Sequence, residues 1–319
     1  MDLKEDIRKA FMEAGAVAVG FARAEEVDAA TTEAYRRWIA EGCHAGMDYL
    51  ARHAELKTHP RFVMEGAATV VSCAFSYASS VVRDPSLPVI ASYALGEDYH
   101  DVLRRRLQAA VEPLKTVWGG EWRICIDSAP LDERYWAVKA GIGVKGRNGS
   151  VIVENCGGRV FLAEVLTTHS VAPDAHSEGS CMGCGRCVVA CPTGALRQDG
   201  TVDARRCLNY LTIEHRGDWE GEMLEVMHSP AGRNSLYGCD RCIACCPHGL
   251  QISDCGCQIA DAGLTLPELR PRERMLTLTA EDVLAMDQPS FSAFFKGSPL
   301  KRAKLPGLLR NARNTLDRD

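Results

Sequence analysis

The sequence has no apolar run of about 18 residues, the length at which a segment becomes a candidate membrane span. It also has no excess of basic charge, since 37 lysines and arginines stand against 42 aspartates and glutamates. That balance excludes a chain that coats nucleic acid over its whole surface and leaves room only for a local basic patch. The first residues are charged and follow a helical pattern without the apolar segment of a signal peptide. We therefore expect a cytoplasmic protein that does not bind membranes.

No residue type is abundant enough to indicate a disordered or repetitive chain, and 319 residues with 46% hydrophobic content suit about two globular domains. Cysteine is the exception, because 11 of the 15 cysteines fall between Cys181 and Cys257. A disulfide framework spreads its cysteines along the chain and needs an oxidising compartment. Clustered cysteines in a chain without an export signal favour metal binding.

The first cysteine motif reads C-x2-C-x2-C-x3-C-P and ends at Pro192. This is the spacing of bacterial ferredoxins, in which three cysteines bind one 4Fe–4S cluster and the fourth binds a second cluster. A second motif, C-x2-C-x3-C-P, begins at Cys239 but is one ligand short, and Cys207 lies between the motifs to supply it. The ferredoxin pattern predicts cluster one on Cys181, Cys184, Cys187 and Cys246, and cluster two on Cys191, Cys207, Cys239 and Cys242.

Some alternatives stay open for these cysteines. Zinc knuckles also use C-x2-C pairs, although the longer run is much rarer than a lone pair. Cys245 can replace Cys246 as a ligand, and the proline that follows favours Cys246. Cys255 and Cys257 form a C-x-C pair that is a weak signal for a further metal site.

Hydrophobic periodicity organises the rest of the chain. It predicts helices at 1–15, 30–41, 98–117 and 131–141, and strands at 17–24, 68–77, 89–95, 122–128 and within 150–166. This order indicates an α/β or α+β sheet domain at 1–175, followed by a ferredoxin-like two-cluster domain at 176–257. Short helices with proline-containing turns are predicted for 258–319.

The stretch from Gly141 to Gly146 matches G-x-G-x-x-G, the dinucleotide-binding fingerprint. That fingerprint must follow a strand and open a helix. Here it follows a predicted helix and precedes a predicted strand, so a helix end and a turn are the better interpretation.

Several motifs together resemble the epoxyqueuosine reductases, a cobalamin and iron–sulfur family of tRNA queuosine synthesis that is distantly similar to reductive dehalogenases. The resemblance covers nearly the whole chain. It lies in the cysteine motifs and in GMDYLARH, SYALGEDYH, DSAPLDER, AGIGVKGRN, CPTGAL, YLTIEHRGD, YGCDRCIACCP and FKGSPLKRAKLPGLLRNA. AGIGVKGRN and the CPHG after the second motif depart from the usual family versions.

The resemblance implies an oxidoreductase that removes the epoxide oxygen of epoxyqueuosine at the wobble position of tRNA. It implies base-off cobalamin on the N-terminal domain, two 4Fe–4S clusters that reduce it, and a low-potential electron donor such as flavodoxin or ferredoxin. We expect a monomer. Two other functions compete: a dehalogenase-like reductase of a small molecule, and a two-cluster electron carrier without catalysis of its own.

Asp127, in the DSAP motif, matches the proton donor of that family. Acting as an acid near neutral pH requires a raised pKa. The alternative is a helix N-cap at Asp127 or Ser128. The resemblance places Lys57, Tyr93, His100, Asp127, Tyr210 and Thr212 in the cobalamin pocket.

The stretch 296–313 is basic and has no acidic residue. Such a density of positive charge suits contacts to phosphates, although a solvated surface is the alternative. The tRNA contacts predicted there are Lys296, Lys301, Arg302, Lys304, Arg310 and Arg313.

Overall fold

The computed structural model describes residues 2–177, 181–253, 256–259 and 263–317. The helices are α1 (Leu3–Glu13), α2 (Ala29–Ala40), α3 (Asp48–Arg52), α4 (Tyr99–Trp118), α5 (Glu133–Lys139), α6 (Arg186–Ala190), α7 (Glu222–His228), α8 (Pro230–Arg233), α9 (Arg241–Ala244), α10 (Glu273–Leu276), α11 (Ala280–Leu284), α12 (Gln288–Phe294) and α13 (Lys304–Leu316). The strands are β1 (Ala18–Arg23), β2 (Thr69–Ser76), β3 (Val89–Ile90), β4 (Trp122–Cys125), β5 (Val144–Lys145), β6 (Val151–Ile152), β7 (Val160–Thr167), β8 (Ser235–Tyr237), β9 (Leu250–Ser253) and β10 (Gly256–Ile259).

The central sheet has the strand order β1-β2-β7-β4, and every neighbouring pair is antiparallel. All residues of β2 are buried, as its run of β-branched and apolar side chains requires of a strand covered on both faces. Of the two sheet classes left open by the sequence, the antiparallel pairing selects α+β.

Helices cover both faces of this sheet. On one face, Phe11 of α1 and Leu103 and Leu107 of α4 pack against β2 and β7. On the other face, Trp136 of α5 is fully buried against Val70 of β2 and neighbouring strands. The sheet is therefore the middle layer of the N-terminal half, and its ends are free to carry loops that reach toward a ligand.

The short parallel pair β3 and β8 joins the two halves of the chain. A second core, which includes Tyr237, Phe295 and Leu308, surrounds this pair with the helices after α9. Helices α6 and α9, which carry parts of the two cysteine motifs, pack against each other. The ends of β8 and β4 are thereby brought to one side of the molecule.

Two predicted strands are shorter than expected. The strand predicted at 89–95 ends at Ile90, because the amide of Ser92 turns to the carboxylate of Asp240 and a 3-10 helix follows. The strand predicted at 122–128 ends at Cys125, before the chain turns sharply at Asp127. Both truncations lie where the sheet meets the candidate site.

Other sequence expectations have clear outcomes. Gly141 follows α5 with φ of 76°, and its amide donates to Val138, so the G-x-G-x-x-G match is a helix end and a turn. Short helices with prolines at their first turns occupy the described residues after Gly263. None of the helices in the described part of the chain is long and apolar enough to cross a membrane.

Candidate active site and cluster ligands

Asp127 lies just beyond β4, where elements from both halves of the chain meet. Its φ of 50° is rare for a residue other than glycine, and such strain is retained mainly at functional sites. Its amide donates to a carboxylate oxygen of Glu133, which holds the turn in this conformation. The Asp127 side chain is 61% exposed, so its carboxylate is open to a ligand.

His100 connects Asp127 to the start of α4. Its Nε2 lies 3.1 Å from Oδ2 of Asp127, and its Nδ1 lies 2.8 Å from Oδ1 of Asp98. Asp98 is also the N-cap of α4, and it accepts from the backbone amide of His100. Burial alone lowers the pKa of His100, but hydrogen bonds to the two carboxylates and their charges outweigh it and raise the pKa to about 9.

The same contact lowers the pKa of Asp127. The hydrogen bond from His100 is the largest cause that lowers the pKa of Asp127 below its ordinary value. Burial alone therefore does not give Asp127 the raised pKa that an acid near neutral pH requires. At neutral pH the proton of this pair rests on the imidazole of His100, one hydrogen bond away from the exposed carboxylate.

The N-cap interpretation of Asp127 and Ser128 is also wrong. Asp132 caps α5, and its side chain accepts from the amide of Tyr135 at 3.2 Å. The hydroxyl of Ser128 donates to the carbonyl of Ile126 at 3.2 Å. The Asp127 carboxylate is therefore not used to begin the helix.

Glu133 and Glu164 are two further acids near this loop. Burial raises the pKa of Glu133 to about 8 and that of Glu164 well above its ordinary value, and in each case a neighbouring carboxylate adds to the effect. Glu164 accepts from the hydroxyl of Ser72 at 3.0 Å. Lys57, placed in the cobalamin pocket by the resemblance, donates instead to the carbonyl of Leu131 at 2.7 Å. These groups fix the position of the loop from Asp127 to Glu133.

An aromatic group lies beside the His100–Asp127 pair. The ring of Tyr99 stacks between His100 and Phe161, with centroids 4.0 and 4.2 Å away. Tyr93 lies next to it, and its hydroxyl is 3.4 Å from that of Tyr237 at the end of β8. The side chain of Ser92 lies beside the carboxylate of Asp240 and opposes the rise in the pKa of that carboxylate that burial causes. The site thus has an aromatic wall beside the exposed carboxylate of Asp127.

Tyr210 and Thr212 do not bring free polar atoms to this site, contrary to the expectation from the resemblance. The hydroxyl of Tyr210 accepts from the amide of Gly46 at 3.0 Å. The hydroxyl of Thr212 donates to Leu208 and accepts from Gly238. Both hydroxyls are buried and occupied by the backbone, so these residues stabilise the fold between the cysteine motifs.

The cysteines assigned to cluster one lie around one cavity. Its wall includes Cys181, Cys184, Cys187 and Cys246. Burial is the largest cause that raises the pKa of the Cys246 thiol, and the thiols of Cys181 and Cys184 contribute. Residues more than 50 positions apart along the chain therefore come together with the donor set of an iron–sulfur cluster.

The cysteines assigned to cluster two form a separate group. Burial raises the pKa of Cys242 to about 12, and the thiols of Cys207, Cys239 and Cys191 raise it as well. Cys207 and Cys239 also lie at the edge of one hydrophobic cluster. Each group thus contains the four cysteines that the ferredoxin pattern predicts.

Cys245 differs from Cys246 in its surroundings. Its thiol lies 3.7 Å from the carbonyl of Cys242 and is absent from the wall of the cluster-one cavity, although the nearby thiols of Cys187 and Cys184 contribute to its raised pKa. Cys255 lies outside the described residues, and Cys257 falls in β10.

No three of the described His, Cys, Asp and Glu side chains are close enough together to hold one metal ion. The ligands of a single zinc ion surround it at about 2.0–2.3 Å. A cubane separates its cysteine sulfurs further, because iron and sulfide lie between them.

Most of the predicted tRNA contacts lie on the surface. Exposed side chains are those of Lys296, Lys301, Arg302, Lys304 and Arg313. Arg302 forms a bidentate pair with Glu214, at 2.7 Å for each contact, and its guanidinium lies 6.0 Å from the ring centre of Tyr49. Exposed Arg216, which the sequence did not single out as a contact, donates to the carbonyl of Arg302.

Arg310 does not fit the predicted role. Its guanidinium lies 4.1 Å from the ring centre of Trp219 and donates to the carbonyl of Leu211 at 2.9 Å. Burial lowers its pKa to about 10. Arg310 therefore holds α13 against the segment between the cysteine motifs and is not available to a phosphate.

The His100 pair predicts a pH-dependent stability. A histidine whose pKa rises from 6.5 to about 9 on folding stabilises the protein fully below pH 6.5, and this contribution is lost as pH rises through 9. We expect the difference in Tm between wild type and H100Q, measured anaerobically on cluster-loaded protein, to shrink between pH 7 and 10. The Tm of wild type relative to E133Q should also decrease as pH rises, but between pH 4.5 and 8, the window set by the raised pKa of Glu133. A wild-type–H100Q difference that is constant with pH would show that the pair does not form.

Comparison with known proteins gives consistent relatives. Residues 180–249 match a family described as a 4Fe-4S double cluster binding domain, and residues 57–128 match the family Epoxyqueuosine reductase QueG, DUF1730. The chain is 35% identical over 287 residues to the epoxyqueuosine reductase of Cyclobacterium marinum, with 86% of this chain and 84% of the relative covered.

Solved structures agree with these matches. The epoxyqueuosine reductase of Streptococcus thermophilus has a TM-score of 0.82 and 28% identity, covering 99% of this chain and 81% of that protein. A complex of epoxyqueuosine reductase with an epoxyqueuosine-modified tRNA-Tyr stem loop has a TM-score of 0.82 and 27% identity, covering 98% of this chain and 80% of that protein. The fold shared with these enzymes extends over nearly the whole chain.

Proposed function

This chain belongs to the epoxyqueuosine reductase family, and we propose that His100 and Asp127 supply the proton with which it converts epoxyqueuosine in tRNA to queuosine. It is an oxidoreductase of queuosine synthesis that carries a double 4Fe–4S domain. Family membership decides against an electron carrier without catalysis. The observation that carries the proposal is the exposed carboxylate of Asp127, hydrogen-bonded to a histidine that is protonated at neutral pH.

The reaction breaks both carbon–oxygen bonds of the epoxide, forms a carbon–carbon double bond and releases water. It consumes two electrons and two protons. Asp127 faces solvent, so its carboxylate can reach the epoxide oxygen and pass on the proton held at Nε2 of His100. Asp98 keeps the imidazole in place from the other side, and the second proton comes from water.

The cluster ligands are Cys181, Cys184, Cys187 and Cys246 for cluster one, and Cys191, Cys207, Cys239 and Cys242 for cluster two. The support is that the first four line one cavity and that the thiols of Cys191, Cys207 and Cys239 all act on that of Cys242. Electrons enter from a low-potential carrier such as a flavodoxin or ferredoxin. Its docking surface includes Met182 and Val189, apolar side chains that are 64% and 86% exposed beside the first motif.

Cobalamin is assigned to the open side of the aromatic group, where Tyr93, Tyr99 and His100 would line it. The support is the stack of Tyr99 on His100 and Phe161, which forms an aromatic wall beside the exposed carboxylate of Asp127. When bound, cobalamin supplies the electrons that reduce the epoxide. The loop from Asp127 to Glu133 then holds the proton donor beside it, fixed by Lys57 and Glu133.

The tRNA is held by the basic surface of the C-terminal segment. Arg302 and Tyr49 lie near Asp127. The charge of its carboxylate therefore contributes to the raised pKa values of the Arg302 guanidinium and the Tyr49 hydroxyl. Lys301, Lys304 and Arg216 extend the positive surface away from the site. Phosphates bound along this surface would place the wobble nucleoside at Asp127.

Neutralising this surface should weaken tRNA binding with a characteristic salt dependence. For the double variant K301Q/K304Q we expect the slope of log K against log salt to decrease by about 0.7–0.9 for each phosphate that the protein no longer neutralises. Fluorescence anisotropy of a tRNA anticodon stem loop at several salt concentrations measures the slope. K9Q/K115Q is the matched control, since these exposed lysines lie on the N-terminal helices α1 and α4. Equal slopes for the two double variants would contradict the proposed surface.

The function is tested by nucleoside mass analysis. The protein is reconstituted anaerobically with iron, sulfide and cobalamin, then incubated with a strong reductant and epoxyqueuosine-containing tRNA. The digested tRNA should contain a nucleoside lighter by one oxygen. Unchanged tRNA from protein that holds both clusters and the corrin would reject the proposed function.

A further inference from the structure

A buried arginine lies where the sheet domain meets the second cysteine motif. Arg159 immediately precedes β7 and is 4% exposed. Its Nη1 has no hydrogen-bond partner among the described residues. Burying a charged donor without a hydrogen-bond partner costs free energy, so an unpaired Nη1 is unexpected at this position.

The turn that carries Cys246 packs against this guanidinium. A Cβ atom added to Gly249 would stand 3.3 Å from Nη1 of Arg159. Gly249 donates its amide to the carbonyl of Cys246 at 3.1 Å, so both residues belong to one tight turn. On the other side, a Cβ atom at Gly157 would collide with the backbone of Gly249. The absence of side chains at both glycines is what allows the arginine segment and the cysteine turn to approach.

We propose that the guanidinium of Arg159 raises the reduction potential of cluster one, the cluster assigned above to the cavity that Cys246 completes. This inference rests on that ligand assignment. A 4Fe–4S cluster with four thiolate ligands carries net negative charge, and the electron it accepts adds to that charge. A cation buried nearby stabilises the reduced cluster more than the oxidised one, because the low dielectric strengthens their attraction. The cluster is then the anion that faces the unpaired Nη1 of Arg159.

The guanidinium of Arg159 also lies near Asp240 of the second motif. Arg159 opposes the rise in the pKa of Asp240 that burial causes. The Asp240 carboxylate already accepts from the amide of Ser92. Because Nη1 of Arg159 lies against the turn from Cys246 to Gly249, the effect of Arg159 should be larger on cluster one.

The test is a redox titration of the reconstituted protein, followed by EPR, with iron and sulfide counted first. The signal of cluster one is assigned as the one that C246S loses. We expect R159Q to shift the midpoint potential of cluster one to a more negative value, with a smaller shift of cluster two. R159K keeps the charge and should stay near the wild type.

The matched control is R147Q. Arg147 lies beside Gly183 and Gly185 of the first motif, but it is partly exposed to solvent, which screens its charge. Its loss should move the cluster-one potential less than R159Q does. An unchanged cluster-one potential in R159Q, or an equal shift in R147Q, would overturn the proposal.

If R159Q fails to assemble cluster one, the midpoint potential of cluster one in R159K tests the proposal instead. A lysine variant with a potential near the wild type supports an effect of charge, and one with a large negative shift overturns it. The readout is independent of tRNA reduction. Wild-type protein with two normal cluster potentials but no queuosine product would contradict the proposed function and leave the role of Arg159 standing.

Discussion

Asparagine at position 127 is expected to lower the rate of queuosine formation about 10²–10⁴-fold, the range typical for loss of a positioned proton donor. The amide has nearly the same size as the carboxylate, and it cannot relay the proton held by His100. The substitution also lowers the pKa of His100, because the charge of Asp127 is one of the causes that raise it. Single-turnover reduction of epoxyqueuosine-containing tRNA, followed by nucleoside mass analysis, measures the rate.

The control is D132N, which makes the same chemical change on the same loop. Asp132 caps α5, so its loss should cost about 1 kcal/mol of stability and leave the rate nearly unchanged below the unfolding temperature. Both variants must match the wild type in iron, corrin and tRNA binding. A D127N protein that meets these conditions and turns over at the wild-type rate would remove Asp127 from the chemistry.

The cysteine pattern carries the most reliable information in this sequence, because cluster ligation depends on short spacings along the chain. C-x2-C-x2-C brings three thiols to one face of a cluster within a single turn of backbone. The crossing of the last cysteine of each motif follows from the antiparallel arrangement typical of ferredoxins. The structure brings Cys246 to the first motif and Cys191 to the second, as that pattern predicts.

The state of the proton donor was beyond reach of the sequence. Asp127 and His100 are far apart in the chain, and only the fold sets Nε2 of His100 at 3.1 Å from the carboxylate. The expectation of a raised pKa considered burial and the charge of a bound corrin, and it did not include His100 as a partner. Glu164 left a clearer signal, since it is the one acid in the apolar strand β7, and a charge in such a strand is rarely there without a role.

Tertiary packing also explains why the polar side chains of Arg310, Tyr210 and Thr212 are engaged within the protein. Each lies in a stretch whose residue types suit a ligand, but helix α13 and the π-helix Tyr210–Glu214 pack against each other and bury them. Their polar atoms are then taken by backbone carbonyls and amides. A composition-based signal such as basic density cannot distinguish a surface arginine from one stacked on Trp219.

The two adjacent cysteines of the second motif give the other large expected effect. C246S should lose cluster one, so that iron and sulfide fall to roughly half of the wild-type content, whereas C245S should keep both clusters. Cys246 lines the cavity shared with the first motif, and the thiol of Cys245 is directed to the carbonyl of Cys242. Iron and sulfide analysis with EPR of the reduced protein measures the content. Loss of a cluster in C245S with full content in C246S would exchange the two assignments.

The consequence for turnover follows from where the electrons must go. Two electrons reach the epoxide one at a time, and each passes through the clusters. A cluster keeps its low potential only when all four of its ligands are present. C246S should therefore form no queuosine even when Asp127 and His100 are intact, since these residues supply protons and no electrons. D127N should show the reverse, with both clusters reducible and the product missing. The pair of variants thus separates electron supply from proton supply within one chain, and a C246S protein that still produces queuosine would mean that cluster one lies outside the path of the electrons.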